Sequence, residues 1–353
     1  RQDRRPGFDT FVRTASVPAS SELYYAHLML PHRPWELLPD GRLYPTGGRR
    51  PPCLSRESWC SDSRFVELGL QRLILQTMYV DTVIGRLING LEESGRFDDT
   101  LIVLVADHGI AFTPGEDPRI MSDKNAHGVL PVPLIIKAPH QTEGRIVGRR
   151  VSTLDVLPTI LELLGEEVPW TMDGVSRVDG KGSNAASLRV HTKRRGAVQI
   201  DPSLLKKNRG FVNRKLRLFG DGSDPDSIYC FGRHAELCGR STDGLEVLSG
   251  KGWRSKIADA DALQNVDLEA AVLPAMVRGA VSPPRGVRSS QNLVVALNGV
   301  IVGNTVSEFK GKRWQPFSAV LPPSAFRQGV NAVEVFRVSG KPSNLVLREL
   351  PHK

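Results

Sequence analysis

The chain has 353 residues, 40% of them hydrophobic and 24% charged, which is enough apolar material for one large core or two ordinary ones. A mean hydropathy of -0.22 with this composition excludes a disordered tail and a collagen-like repeat. The net charge of +9 is local: residues 176–256 hold 17 Lys and Arg against 8 Asp and Glu, and the remainder is neutral. Such a stretch serves either as a solvated basic surface or as an attraction for an anionic substrate or a membrane face. No aromatic residues interleave with it in the manner that stacks bases, so nucleic acid is not an expected partner. No apolar run approaches the roughly 18 residues of a membrane-crossing helix. The opening Arg1-Gln2-Asp3-Arg4-Arg5 has no initiator Met and no signal-peptide apolar segment, as in a mature product or a fragment.

In chain order, residues 1–20 read as an irregular lead-in and Leu23 to Leu30 as a short strand. The strand ends at Pro31-His32-Arg33-Pro34-Trp35, where two prolines forbid continuation of a helix or a ladder and leave His32 on a loop. Residues 40–60 are rich in Gly, Pro, Arg and Ser and read as loop. From Arg64 to Ser94, apolar residues recur every three or four positions, which predicts one long amphipathic helix capped by Asp62 or Ser63 and ended by Gly95. Leu101 to Ala106 is continuously apolar and β-branched, as a central strand of a parallel sheet would be. A second such strand is expected at Val132 to Lys137. A helix follows from Ser152 to Gly165, with a Ser or Thr cap, Pro158 in an early turn and a terminal Gly. This order of elements predicts a layered α/β domain.

Residues 181–256 show little periodicity. From Asn292 the pattern is β, with an Asn298-Gly299 hairpin signal between Leu293–Leu297 and Val300–Val302, then Phe317–Leu321 and Val330–Val338. A small antiparallel sandwich is expected there. The expected organisation is an α/β portion over 1–180, a basic Gly-rich extension over 181–285 and a β-rich accessory domain over 286–353. Four cysteines form two local pairs, Cys53 with Cys60 and Cys230 with Cys238. Neither has zinc-site or redox spacing, and they read as loop-closing disulfides of an extracytoplasmic protein, with free thiols as the alternative.

Three polar clusters border the expected strands. Asp107-His108-Gly109 follows the first buried run, where ligands of open α/β sheets gather; the pair either ligates a divalent cation or caps the next turn. His32 either donates to an anionic oxygen and protonates a leaving group or packs on Trp35. Lys124 and His127 precede the second run and either face the same side, where Lys124 would neutralise an anion, or lie on a surface loop.

Here the residues reach a resemblance. Leu30-Pro31-His32-Arg33-Pro34-Trp35 with Leu38-Pro39-Asp40-Gly41-Arg42 and Tyr44 resembles the His-x-Pro segment of membrane-associated sulfatase-like proteins. Val103 to Gly109 is similar to their metal-binding strand end. Val132 to Pro139, and Leu154 to Ile160 with Asp173-Gly174, match the following segments in order. The family is the sulfatase branch of the alkaline phosphatase superfamily, and the match covers about residues 20–178.

The resemblance implies an alkaline phosphatase-like α/β/α sandwich, incomplete at its N-terminus, with a C-terminal β-rich domain. It implies that Asp107 and His108 are metal ligands, for calcium in a sulfatase or manganese or zinc in a transferase. His32 matches the family's substrate-binding catalytic His, and Lys124 and His127 lie near further substrate-binding positions. The family's nucleophile, a Cys in Cys-x-Pro-x-Arg or a Thr or Ser, has no counterpart: Cys53-Leu54-Ser55-Arg56 lacks the Pro and follows His32. The expectation is therefore the C-terminal portion of a metal-assisted sulfate or phosphate ester hydrolase. Its substrate is an anionic ester, and the full-length protein is extracytoplasmic and anchored by N-terminal membrane helices. By itself the fragment is expected to be inactive. Two alternatives are a phosphoglycerol- or phosphoethanolamine-type transferase acting on an envelope glycan or lipid, and a catalytically dead remnant that binds a polyanion.

Overall fold

A computed structural model describes residues 5–17, 22–48, 50–55, 58–167, 170–180, 188–192, 196–341 and 344–351. The chain mixes helices and sheets, the α/β class expected, with a sheet-rich C-terminal region. Helix α1 (Arg5–Ala15) occupies most of the stretch read as irregular; residues 1–4 and 18–20 lie outside the described residues. Its Phe8 and Ala15 pack onto the next helix, so tertiary burial rather than intrinsic propensity holds an 11-residue helix that would be marginal alone. Residues 22–30 form no strand, contrary to expectation: Leu23 and Tyr25 are exposed, and no ladder partner is present among the described residues.

Helix α2 (Ser63–Glu93) matches the amphipathic pattern, and the Asp62 carboxylate accepts from the Arg64 amide at its start. Its first half buries Phe65, Val66, Leu68, Leu70 and Leu75 in the same core as Val277, Val281, Leu293 and Leu321 of the C-terminal sheets. Each such side chain contributes about 1.5–3 kcal/mol when fully buried. Trp59 lies across Gly69, where any side chain would collide with the indole.

Strands β1 (Ile102–Val105) and β2 (Leu134–Lys137) flank helix α3 (Ala126–Val129) and pair antiparallel, Ile102 opposite Lys137. The parallel, doubly covered arrangement read from their apolar runs is corrected: this is a two-stranded ribbon with Val105 and Ile135 exposed. A continuous apolar run fixes neither strand direction nor cover on both faces.

Helix α4 (Val156–Leu164) is entered through a capping box at Ser152 and closed by Gly165 in the left-handed region (φ 73°). Asp155, only 4% exposed, accepts from the amides of Ser152 and Val175, each at 3.0 Å, and from Arg177 Nε at 2.8 Å. Gly174 lies directly against the Leu154 carbonyl, leaving no room for a Cβ. The Asp155 and Asp173-Gly174 signature is thus a structural clasp that closes residues 152–177 on themselves.

The basic stretch is more ordered than its composition predicts; residues 181–187 and 193–195 lie outside the described residues. Strands β3 (Leu188–Thr192) and β4 (Gly196–Ile200) form a hairpin, and helix α5 (Lys207–Phe219) follows. Beyond it, β5 (Val247–Leu248), β6 (Arg254–Ala258), β7 (Met276–Ser282), β8 (Asn292–Leu297), β9 (Val300–Val306), β10 (Gln315–Val320), β11 (Val333–Lys341) and β12 (Asn344–Glu349) build two sheets. Their orders are β5-β12-β11-β8-β9 and β10-β7-β6. β6 and β7 fall before residue 286, so the β-rich region begins earlier than the alternation after Asn292 indicates. The Asn298-Gly299 turn joins β8 and β9 with both residues at positive φ (54° and 82°), as a tight hairpin requires.

Candidate anion and metal site

Two loops bring the site together, and both are fixed by side chains of the core. The His32 loop is clamped by Gln76 of α2, which is fully buried. The Gln76 side chain donates from Nε2 to the His32 carbonyl (2.9 Å) and accepts at Oε1 from the Glu36 amide (3.1 Å). Trp35 donates from Nε1 to the Pro31 carbonyl and stacks at 5.7 Å against Phe112 of the second loop. Phe112 in turn meets Trp59 at 5.4 Å, and Trp59 Nε1 donates to the Ala111 carbonyl. One aromatic trio therefore ties the His32 loop to the loop that follows β1.

That second loop carries Asp107 and His108. Gly109 presses against the carbonyls of Gly128, Val129 and Pro131, and its amide donates to Val129 at 2.8 Å. Only a residue without Cβ lets the chain turn this closely off the strand. The Asp107 Oδ1 accepts from the His108 amide at 2.9 Å, and Oδ2 stands 3.7 Å from His108 Nε2.

Both imidazoles contact a backbone carbonyl through Nδ1: His32 with Arg33 at 2.7 Å and His108 with Gly109 at 2.8 Å. A carbonyl only accepts, so Nδ1 is the donor in each contact, and in the Nδ1–H tautomer Nε2 is the acceptor that faces outward. Both Nε2 atoms meet the guanidinium of Arg119, Nη2 at 2.8 Å from His108 Nε2 and Nη1 at 3.4 Å from His32 Nε2. His32 and His108, the latter beside Asp107, therefore border one guanidinium, that of Arg119.

Arg119 escaped sequence reading because it lies in an irregular loop with no periodicity. The signal available was Asn125, which is fully buried: it donates to the Asp117 and Ile120 carbonyls, both at 2.8 Å, and accepts from the Ser122 amide. Asp117 caps the same turn through the amides of Arg119 and Ile120. Arg33 completes the electropositive lining. Burial, and then the nearby Arg50 and Arg119 cations, push its guanidinium below its ordinary value against the opposing pull of Asp117.

The remaining candidates are placed elsewhere on these loops. The Lys124 ammonium is 3.5 Å from Glu116 and largely exposed, with no hydrogen bond or ion pair to His32 or His108. His127, on α3, meets the Phe211 ring edge-on at 5.9 Å. Among the described residues no group of three or more His, Cys, Asp or Glu side chains forms a cation site. Asp107 and His108 nevertheless fit part of one: a carboxylate oxygen and an imidazole lone pair lie on the same side, and a side-chain cation already stands at that lone pair.

Both expected disulfides are formed, Cys53–Cys60 and Cys230–Cys238, in keeping with an extracytoplasmic setting. No helix among the described residues is long and apolar enough to cross a membrane.

The sulfatase family model matches residues 6–166. The multifunctional alkaline phosphatase superfamily protein PehA of Trinickia caryophylli is 38% identical over 101 residues, which is 28% of this chain and 19% of that protein. The choline-sulfatase of Rhizobium meliloti (strain 1021) is 40% identical over 104 residues, 28% of this chain and 20% of that protein. Among solved structures, the phosphonate monoester hydrolase SpPMH from Silicibacter pomeroyi aligns at 30% identity with a TM-score of 0.29, covering 37% of this chain and 27% of that one. The chain spans about a fifth of the length of these curated relatives. Over residues 6–166 the chain is thus similar in sequence to the sulfatases.

Proposed function

We propose that the chain is part of an extracytoplasmic, metal-assisted hydrolase of sulfate or phosphate esters, and that Arg119, set between His32 and His108, holds the ester's anionic oxygens. The observation that carries this reading is the guanidinium bridging the two Nε2 atoms. Arg119 offers donors in a planar fork that matches a tetrahedral oxyanion, and Arg33 raises the local potential. With its Nδ1 proton held by a carbonyl, His32 exchanges a proton with a leaving-group oxygen at Nε2. A divalent cation held by Asp107 and His108, calcium in a sulfatase or manganese or zinc otherwise, would neutralise charge on the ester when bound. Lys124 and His127 are proposed to meet more distal parts of the substrate.

The nucleophile is proposed to be supplied by residues other than these. Cys53, the cysteine nearest the family's motif in composition, is bonded to Cys60, and Arg56 of that segment lies outside the described residues. The chain by itself should turn over no ester, and the whole protein is proposed to be membrane-anchored by helices outside it. Asp-His in place of the Asp-Asn of sulfatases supports a second reading, phosphoglycerol- or phosphoethanolamine-type transfer.

Titration of the chain with inorganic sulfate and phosphate, followed by NMR of the imidazoles, tests the site. Saturable shifts of His32 and His108 that vanish in Arg119→Gln are expected. Anion-independent imidazole signals would refute the reading. Turnover of an aryl sulfate by the purified chain, abolished in His108→Ala, would overturn the proposed inactivity.

A further inference from the structure

The three-stranded sheet brings a second cationic surface together, on the opposite half of the molecule's sequence. In its register Arg254 of β6 stands opposite Ser282 of β7, and Ser282 Oγ accepts from Arg313 Nε at 3.3 Å. Lys256, two residues along the same strand face and about 6–7 Å further on, lies over the Trp314 ring at 4.5 Å. The turn after β7 closes on the segment before β6, since a Cβ on Gly252 would touch Pro284 at 3.3 Å. Lys251 and Arg285 therefore join the same edge.

The segments 250–256, 280–290 and 310–316 that meet here contain eight Lys and Arg and no Asp or Glu. Lys310 is matched by Glu308 at 3.0 Å. Arg254, Lys256 and Arg313 have no carboxylate partner among the described residues, and all three are exposed.

An exposed face this one-sided in charge costs stability through self-repulsion, which a bound polyanion would relieve. We propose that this sheet face docks an acidic polysaccharide, an extended chain with anionic groups at regular intervals. Three properties select that partner. Arg254 and Lys256 project from one strand at its two-residue repeat, with Arg313 beside them, which suits discrete anionic groups on an extended chain. Of the two aromatic rings in these segments, Trp314 already carries an ammonium on its face and Trp253 is buried, so neither provides a free platform for the base stacking by which single-stranded nucleic acid binds. No large apolar side chain of these three segments is exposed, so nothing there would insert into a lipid surface. The proposal does not depend on the ester-hydrolase reading, because it concerns binding by residues outside the His32–Arg119 cluster.

The test uses the whole chain and immobilised heparin as the probe, with single-stranded DNA and anionic phosphatidylserine vesicles in parallel. Three forms are compared: Arg254→Gln/Lys256→Gln/Arg313→Gln, its charge-keeping counterpart Arg254→Lys/Arg313→Lys, and an off-face control, Arg189→Gln/Arg217→Gln. The triple Gln variant should bind heparin about tenfold or more weakly, roughly 1.4 kcal/mol, with a shallower salt dependence. The Lys variant and the off-face control should keep wild-type binding, and circular dichroism of all three should match wild type. Undiminished heparin binding by the triple variant would overturn the proposal. So would a loss shared equally by the off-face control, or tighter binding of DNA or vesicles than of heparin at equal ionic strength.

Discussion

Asp155→Asn exposes what the 152–177 clasp contributes. In the folded chain one carboxylate serves three donors, the Ser152 and Val175 amides and Arg177 Nε. Asparagine retains one acceptor oxygen and turns the other position into a donor, so at least one buried N–H faces an N–H. Arg177, 21% exposed, also loses the Asp155 charge. An orphaned buried donor costs about 1–3 kcal/mol, and a charge-assisted bond adds about 1.5–3. With partial relaxation the expected loss is about 2–4 kcal/mol, a large share of a typical folding free energy of about 5–15.

The pH dependence supplies a second readout. Burial pushes the Asp155 carboxyl up, but the Ser152 and Val175 amides and the Arg177 guanidinium outweigh it and hold it below the usual carboxylate range. A depressed folded-state pKa means a stabilisation fully present above the unfolded value of about 3.9 and lost as pH falls through the folded one. Urea titrations of wild type and variant should therefore differ at pH 7, and the gap should close in acid as pH falls below the ordinary carboxylate value. Hydrogen exchange at the Ser152 and Val175 amides should accelerate in the variant. Equal urea midpoints at pH 7, or a gap that persists unchanged in acid, would refute the clasp.

Further outcomes can be measured on the same material. Gly109→Ala places a methyl against three backbone carbonyls that cannot yield individually; it should cost about 1–3 kcal/mol and shift the His108 imidazole signals, and an unchanged melting temperature would contradict the packing described. Arg72 is buried at 4% exposure, donates to Ser318 Oγ at 2.8 Å and has no hydrogen-bond partner at Nε. Burial pushes its guanidinium down, so Arg72→Met should raise stability by about 1–3 kcal/mol, seen as a higher urea midpoint at unchanged slope. Arg119→Gln removes the bridge between the two imidazoles and should weaken sulfate and phosphate binding at least about fivefold, while leaving the urea midpoint within about 0.5 kcal/mol because the side chain is exposed.

Much of the local structure was legible from the residues themselves. Three- and four-residue apolar spacing specifies α2, the Asn298-Gly299 pair specifies its hairpin, and a capping Ser with a terminal Gly brackets α4, because each is decided within a few residues by backbone sterics or side-chain periodicity. The cysteine spacing likewise indicated the two short disulfide loops. His32, Asp107 and His108 stood out because prolines or a strand end constrained them.

Pairing and long-range encounter were decided only by the tertiary structure. The direction of β1 against β2 depends on the path between them, which an apolar run does not encode. Helix α1 exists because α2 offers it a buried face. Arg119 is an ordinary loop residue until buried Asn125 turns its loop toward two imidazoles, one of them 87 positions away in sequence. Residues 251–256, 285 and 313 become one cationic surface only because β6, β7 and β10 lie side by side. Charge and chemistry are written in the sequence position by position, whereas which of them act together is fixed by packing across the core.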